Sequence, residues 1–229
     1  MKKIILSAAL VAIAGFTYAQ KPAAGDVTGE VTMYFQTGTS AVSIWTPDLK
    51  ARYFLSDDMA LRIDFAVATS SSSQDVTEAA PGTGTGKYES SSSTFIIGAG
   101  IEKHFAGTER LSPYVGAGLS FSTGSSDETF TNCDNFGGGL VYTPDYLRTE
   151  DNASVSTFGL KLMAGADYYF VNNVYLGIEV GWGFSTTSNG DATSTTTSGG
   201  TTTVSKTPGG SSSGLSLSYN PGLRFGFVF

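Results

Sequence analysis

The residues best suited to chemistry are few and scattered. His104 is the only histidine, and it stands two positions from Glu102. A hydrolytic centre needs a nucleophile, a base and an orienting acid within reach of one another. The segment His104-Phe105-Ala106-Gly107 supplies no serine, so the expectation is a histidine hydrogen-bonded to Glu102 rather than a catalytic base. Cys133 is the only cysteine. It excludes a disulfide scaffold and reads as an inert thiol. Asn132, Asp134 and Gly137 follow the spacing of a calcium loop, but Phe136 occupies a ligand position and Thr143 stands where the closing glutamate belongs. Gly-x-Gly recurs at Gly98-Gly100, Gly116-Gly118 and Gly181-Gly183, in no case opening the helix that a dinucleotide site requires. No catalytic, metal or cofactor site is expected.

The chemistry that does recur is charge placed at alternate positions of apolar runs. The chain has 229 residues, 40% of them apolar and only 14% charged, with a net charge of −7. A soluble domain carries about 25% charged residues. The negative balance leaves no basic footprint, so nucleic acid is not an expected partner, and 12% aromatic residues argue against a disordered chain. Lys2 and Lys3, the apolar run Ile4–Phe16 and the small-residue pattern Thr17-Tyr18-Ala19 have the three-part form of a secretory signal peptide cut between Ala19 and Gln20. Residues 1–19 are thus expected to be a cleaved leader and 20–229 a single domain. No later segment offers the ~20 apolar residues of a spanning helix.

Instead, eight runs alternate with period two: 27–36, 48–55, 59–67, 95–105, 114–121, 158–170, 174–184 and 215–229. Successive side chains of a strand point to opposite faces, so each run has an oily face and a polar one. In the third, Met59, Leu61, Ile63, Phe65 and Val67 oppose Ala60, Arg62, Asp64 and Ala66. The connections alternate as well. Ser56-Asp57-Asp58, Ala106–Ser112 and Val171-Asn172-Asn173 are short, whereas Gly38–Ser43, Ser70–Ser93, Gly124–Ala153 and Ser185–Ser213 lie on the other side, the last three of them long. The final tract is dominated by Ser, Thr and Gly and is expected to be mobile. The fold class expected is all-β: an eight-stranded antiparallel up-and-down transmembrane barrel with long extracellular loops and short periplasmic turns.

A soluble sandwich or lipocalin also alternates, but its oily face points inward. Here the polar faces carry Glu30, Asp48, Lys50, Arg52, Arg62, Asp64, Glu102, Lys161, Asp167, Glu179 and Arg224. In lipid the oily faces meet acyl chains and these charges can pair within the lumen. The expected result is a charge network that plugs the barrel, since an eight-stranded lumen is just wide enough to be filled by side chains. Glycines on the same faces would leave room for Arg and Tyr from neighbouring strands. Trp45, Phe95, Phe121, Phe158, Trp182 and Phe184 fall at the long-loop ends, and Tyr53, Phe105, Tyr168, Phe170 and Tyr175 near the short turns. Their lipid-facing members would form two girdles. In the third loop Phe130, Phe136, Tyr142 and Tyr146 lie among acidic residues, either as a binding surface or, the preferred reading, packed against the rim.

With its signal peptide, its eight alternating strands and its last strand ending Phe225-Gly226-Phe227-Val228-Phe229, the chain resembles the small outer-membrane β-barrel proteins of the OmpA-barrel and OmpX type. The resemblance covers residues from about Gly25 to Phe229. It implies residence in the outer membrane of a Gram-negative envelope, contact with outer-membrane lipids, and reading of Phe225, Phe227 and Phe229 by the barrel-assembly machinery. In such an envelope the triplet Asn152-Ala153-Ser154 is no glycosylation signal. A lipid A deacylase of this type carries His-x-Ser-Asn on its lipid side, and His104-Phe105-Ala106-Gly107 departs from it in side and in sequence. No peptidoglycan-binding domain is expected after Phe229. The function expected is a monomeric, non-enzymatic barrel with a structural or surface-interaction role, its long loops open to an extracellular ligand or protein. A narrow channel, or an accessory subunit of a larger outer-membrane complex, is the alternative.

Overall fold

The computed structural model describes residues 21–34, 49–79, 82–136, 138–218 and 222–229. The expected leader, the connection 38–43, Trp45 and Asp48 lie outside these residues, and the side chain of Phe136 is likewise not described. Twelve strands follow one another: β1 (Val27–Tyr34), β2 (Leu49–Ser56), β3 (Met59–Thr77), β4 (Thr85–His104), β5 (Leu111–Phe136), β6 (Gly139–Asp151), β7 (Val155–Val171), β8 (Val174–Asn189), β9 (Ala192–Ser198), β10 (Thr201–Thr207), β11 (Ser211–Ser218) and β12 (Gly222–Val228). Eight of them close a ring in the order β1-β2-β3-β4-β5-β7-β8-β12, every pair antiparallel and β12 returning to β1.

The ring is staggered. At right angles to the strands, Thr28 leads to Arg52, Arg62, Gly100, Gly118, Lys161 and Gly183. Gly183 then faces Ser216, whereas Thr28 itself faces Val228 across the seam. That offset of roughly ten residues is the shear of a closed barrel, whose strands tilt by about 35–45°.

The molecule is inside-out relative to a soluble protein. Arg52, Arg62, Glu102, Asp167 and Arg224 are 0–1% exposed, while Ile63, Leu162, Ile178 and Trp182 are 55–65% exposed on the outer wall. The wall is oily because period-two side chains on every strand place one set toward lipid, where no unpaired backbone edge could be tolerated. Phe95 on β4 and Phe105, one residue past its end, stand at opposite ends of that belt. Ten residues at ~3.3 Å rise and that tilt span about 25 Å, the height of an outer-membrane apolar band.

Two expectations about the connections need correction. The segments expected as long loops are largely strands. Ser70–Thr77 and Thr85–Ser93 extend β3 and β4 in continuous register. β5 runs on to pair with β6, and the Ser/Thr tract expected to be mobile forms β9 and β10, with β9 joined to β6. Alternation of oily and polar residues marks a strand only when one face meets lipid, and much of these hairpins carries Ser and Thr on both faces. Their β signal is Thr density and, at Gly199-Gly200, a two-residue turn with φ of 54° and 80° that suits the strand twist. The last run is also divided, β11 and β12 both lying along β8.

Candidate functional site

The lower lumen, toward the short turns, is filled by one polar side chain from each strand of the ring: Glu30 (β1), Arg52 (β2), Arg62 (β3), Glu102 (β4), Tyr114 (β5), Asp167 (β7), Glu179 (β8) and Arg224 (β12). Arg52 and Arg62 face each other in register, a juxtaposition that destabilises a sheet when nothing intervenes. Glu102 intervenes. Its two oxygens lie 3.1 Å from Arg52 Nε and 3.0 Å from Arg62 Nη1. Asp167 bridges in the same way, 2.6 Å from Arg52 Nη1 and 2.6 Å from Arg224 Nη2. Glu30 lies 2.7 Å from Arg52 Nη2 and 3.0 Å from Arg224 Nη1. Glu179 accepts from Arg62 Nη1 at 2.6 Å, Lys161 Nζ at 2.7 Å and the Tyr114 hydroxyl at 2.7 Å. Two guanidiniums, of Arg52 and Arg224, also lie 5.2 Å from the Tyr114 ring centre.

Higher in the lumen, Asp64 joins through Arg62 Nε at 2.9 Å, and Lys50 is buried in register opposite Glu30 and Asp64. The side chains of Lys161 and Asp64 are 34% and 26% exposed, so water reaches the top of the cluster. Above it the inward positions become small: Gly118, Ser120, Gly159 and Gly183, with Ser120 exposed. Glycines make the lower cluster possible. A Cβ at Gly177 would lie 2.3 Å from Asp167 Oδ1 and 2.6 Å from Arg224 Nη2, and one at Gly165 or Gly226 would strike the ring of Tyr114 or Tyr175. The three Gly-x-Gly pairs are more mixed. A Cβ at Gly98 meets Asp64 at 3.2 Å, but at Gly100 and Gly118 its nearest neighbours are backbone oxygens.

His104 closes the short-turn end. Its Nε2 is 3.3 Å from Glu102 Oε2, and its Nδ1 is 3.0 Å from the Ser112 hydroxyl. With the ring proton on Nε2, the imidazole donates to Glu102 and accepts from Ser112. Ser112 lies eight residues away across the β4–β5 turn, too far along the chain for a local motif to join the two. His104 and Ser112 are each 4% exposed, and the imidazole sits between the rings of Phe54 and Tyr114, each 5.2 Å away. Tyr169 and Tyr175 complete the floor, both 0% exposed with ring centres 5.1 Å apart. Tyr175, placed by the sequence among the short-turn aromatics, is a lumen residue.

The sequence matches the family described as "Putative OmpA-OmpF-like porin family" over residues 36–229. The chain belongs to that family. It is an outer-membrane β-barrel protein of the OmpA type. Among solved structures, the N-terminal β-barrel domain of Pseudomonas aeruginosa OprF aligns over 91% of this chain and 100% of that one, with 16% identity and a TM-score of 0.38. No curated protein matches the chain.

In this OmpA-type barrel the C-terminal residues form the seam. Phe229 N donates to Val27 O at 2.8 Å, Phe225 and Phe227 stack edge-to-face at 5.0 Å, and Phe229 is 75% exposed on the outer wall. At the opposite end the projecting hairpins have a core of their own. Phe130, Cys133 and Val76 are buried, with Tyr88, Leu140, Tyr142 and Tyr146 packed around them. Arg148 lies 4.1 Å over the Phe130 ring and 2.9 Å from Asp134. Asp134, the carboxylate of the calcium-like spacing, is therefore held by a guanidinium, and among the described residues no group of three metal-ligating side chains gathers.

Proposed function

We propose that the protein is a non-enzymatic outer-membrane barrel, closed by its charge cluster, that holds the projecting hairpin sheet at the cell surface for structural or surface contacts. One observation carries this reading. Arg52, with a wholly buried side chain, meets three carboxylates from three other strands within 3.1 Å. An ion crossing the lumen would have to part those contacts in a low-dielectric interior, where an unpaired buried charge is costly. Among the described residues the inward charges also balance, Arg52, Arg62, Arg224, Lys50 and Lys161 against Glu30, Asp64, Glu102, Asp167 and Glu179, which gives no one-sign field to draw ions through. His104, held between the rings of Phe54 and Tyr114, and Ser112 are each 4% exposed, which leaves no approach for a scissile carbonyl and supports the absence of hydrolytic chemistry.

The reading extends to biogenesis. Residues 1–19 leave as a signal peptide, the short turns face the periplasm, and Phe225, Phe227 and Phe229 act as the assembly signal of a monomeric barrel. Full-length protein in planar bilayers is expected to be silent. Sustained conductance would replace this reading with the second one, a narrow pore, which draws on the partial exposure of Lys161 and Asp64.

A further inference from the structure

On the outward face of β3, β4 and β5 the registers stack side chains into rows that climb away from the lipid belt. Phe65, Ile97 and Phe121 form one row, and Val67, Phe95 and Thr123 the next. Phe65 and Phe95 meet edge-on at 5.7 Å, marking the girdle. The two rows above are Thr69, Ser93 and Ser125, then Ser71, Ser91 and Asp127. These six residues, with Ser70 and Ser92 between them, line a groove of about 310 Å3, near the lower end of small-molecule sites. The Ser93 and Ser125 hydroxyls are 3.1 Å apart.

The position of this groove decides what can occupy it. Successive rows are two residues apart, and at ~3.3 Å per residue the groove begins within roughly 7 Å of the Phe65–Phe95 girdle. It faces away from the lumen and continues the lipid-facing wall without a break, so its neighbour is the headgroup layer of the outer leaflet, tethered to acyl chains on the belt below. The groove offers hydroxyls and one carboxylate and no cation. Asp127 stands in register with Asp151 of β6. Lys87, farther up β4, is already 2.6 Å from Glu89. A phosphate would be repelled there, whereas sugar hydroxyls both donate to a carboxylate and exchange bonds with serine hydroxyls, and Phe95 at the base offers a ring to a sugar's apolar face.

We infer that this groove holds an uncharged sugar of an outer-leaflet glycolipid. The inference rests on the hairpin end facing outward, so its test is made in detergent, where orientation has no influence. Full-length protein in micelles is offered three probes: a lipooligosaccharide with its core sugars, the same glycolipid trimmed to its acylated diglucosamine, and phosphatidylglycerol. Native mass spectrometry reads what is retained. The sugar-bearing probe is expected to be retained at least tenfold over the other two. Ser91→Trp, which fills the groove, and Asp127→Ala, which removes its carboxylate, are each expected to abolish that preference, while Thr203→Trp on β10 keeps it. All three positions are exposed, and the shift in gel mobility on boiling checks that each variant is folded. Equal retention of the sugar-bearing and trimmed probes, or an unchanged preference in both groove variants, would overturn the proposal.

Discussion

Arg52 and Arg62 face each other on neighbouring strands, and Glu102 reaches between them to offset their repulsion. The same holds for Glu179, which accepts from Arg62, Lys161 and Tyr114 together. Removing Glu179 takes away the carboxylate 2.7 Å from Lys161 and leaves Arg62 with Glu102 and Asp64, so Glu179→Ala is expected to cost at most about 3–5 kcal/mol, and less where water follows from above. Urea titration of the folded barrel in lipid, read by gel mobility, measures this. Glu179→Gln, which keeps the shape and some hydrogen bonds, is expected to cost less. Cys133 is a residue-scale test of the hairpin core. Burial pushes its thiol up from the ordinary cysteine value, and its Sγ donates to Lys87 O at 3.3 Å. A raised value leaves less thiolate at neutral pH, so maleimide labelling is expected to be slow in the folded protein. It should rise with pH later than for a free thiol and become fast on unfolding. Rapid labelling of folded protein at pH 7 would show the core to be open.

At the scale of elements, ring strands and projecting strands are held by different forces. The ring strands satisfy their backbone groups in a closed circle and turn their oily faces to lipid. The hairpins β5–β6 and β9–β10 stand in water and depend on a small core around Phe130, which is 2% exposed beneath Arg148. Phe130→Ala removes most of that core and is expected to cost about 3–5 kcal/mol locally. Because the two units share only the length of β3, β4 and β5, the loss should be local. Limited proteolysis is expected to cut the hairpins of the variant sooner while the ring keeps its resistance to denaturant. Loss of the ring in the same experiment would mean that the two fold as one cooperative unit. The short turn at Val171-Asn172-Asn173 was legible in the sequence, and Asn173 has a φ of 61° there; Gly199-Gly200, positive at both residues as a two-residue hairpin turn requires, lay inside the tract expected to be mobile.

For the whole molecule, the segment leading into β1, at Gly25, and Phe229 both lie at the short-turn end. Gly25 N donates to Phe54 O at 2.8 Å, and Phe229 pairs with Val27. An even ring places the two there together. If that end is periplasmic, an epitope inserted at Gly199-Gly200 is expected to be labelled on intact cells, and one at Asn172 only after the outer membrane is breached. Labelling of the Asn172 epitope on intact cells would invert the orientation. The lumen is asymmetric along the same axis, with full burial at Glu102 and Asp167 and small or exposed residues at Gly159, Gly183 and Ser120. Among the described residues, burial of the inward side chains is thus greatest toward the short-turn end and falls toward the projecting sheet.

Period-two alternation by itself determined the ring, its outward oily face and the lumen set, because side-chain direction in a strand depends only on parity. It placed Glu30, Lys50, Arg52, Arg62, Asp64, Glu102, Lys161, Asp167, Glu179 and Arg224 on inward positions without any knowledge of register. What parity cannot carry is height. Whether Asp167 meets Arg52 or Lys161 depends on the stagger of strands far apart in the sequence, and only the closed ring sets it. Ser112 met His104, and Tyr114 met Glu179, for the same reason: their proximity is made across strands, not along one. Most of the projecting strands escaped the sequence because Ser/Thr stretches such as 69–73 and 193–203 carry no oily face, and their pairing rests on backbone hydrogen bonds that any Ser/Thr tract could make. Tertiary structure decided them by giving β5 and β8 edges on which to extend.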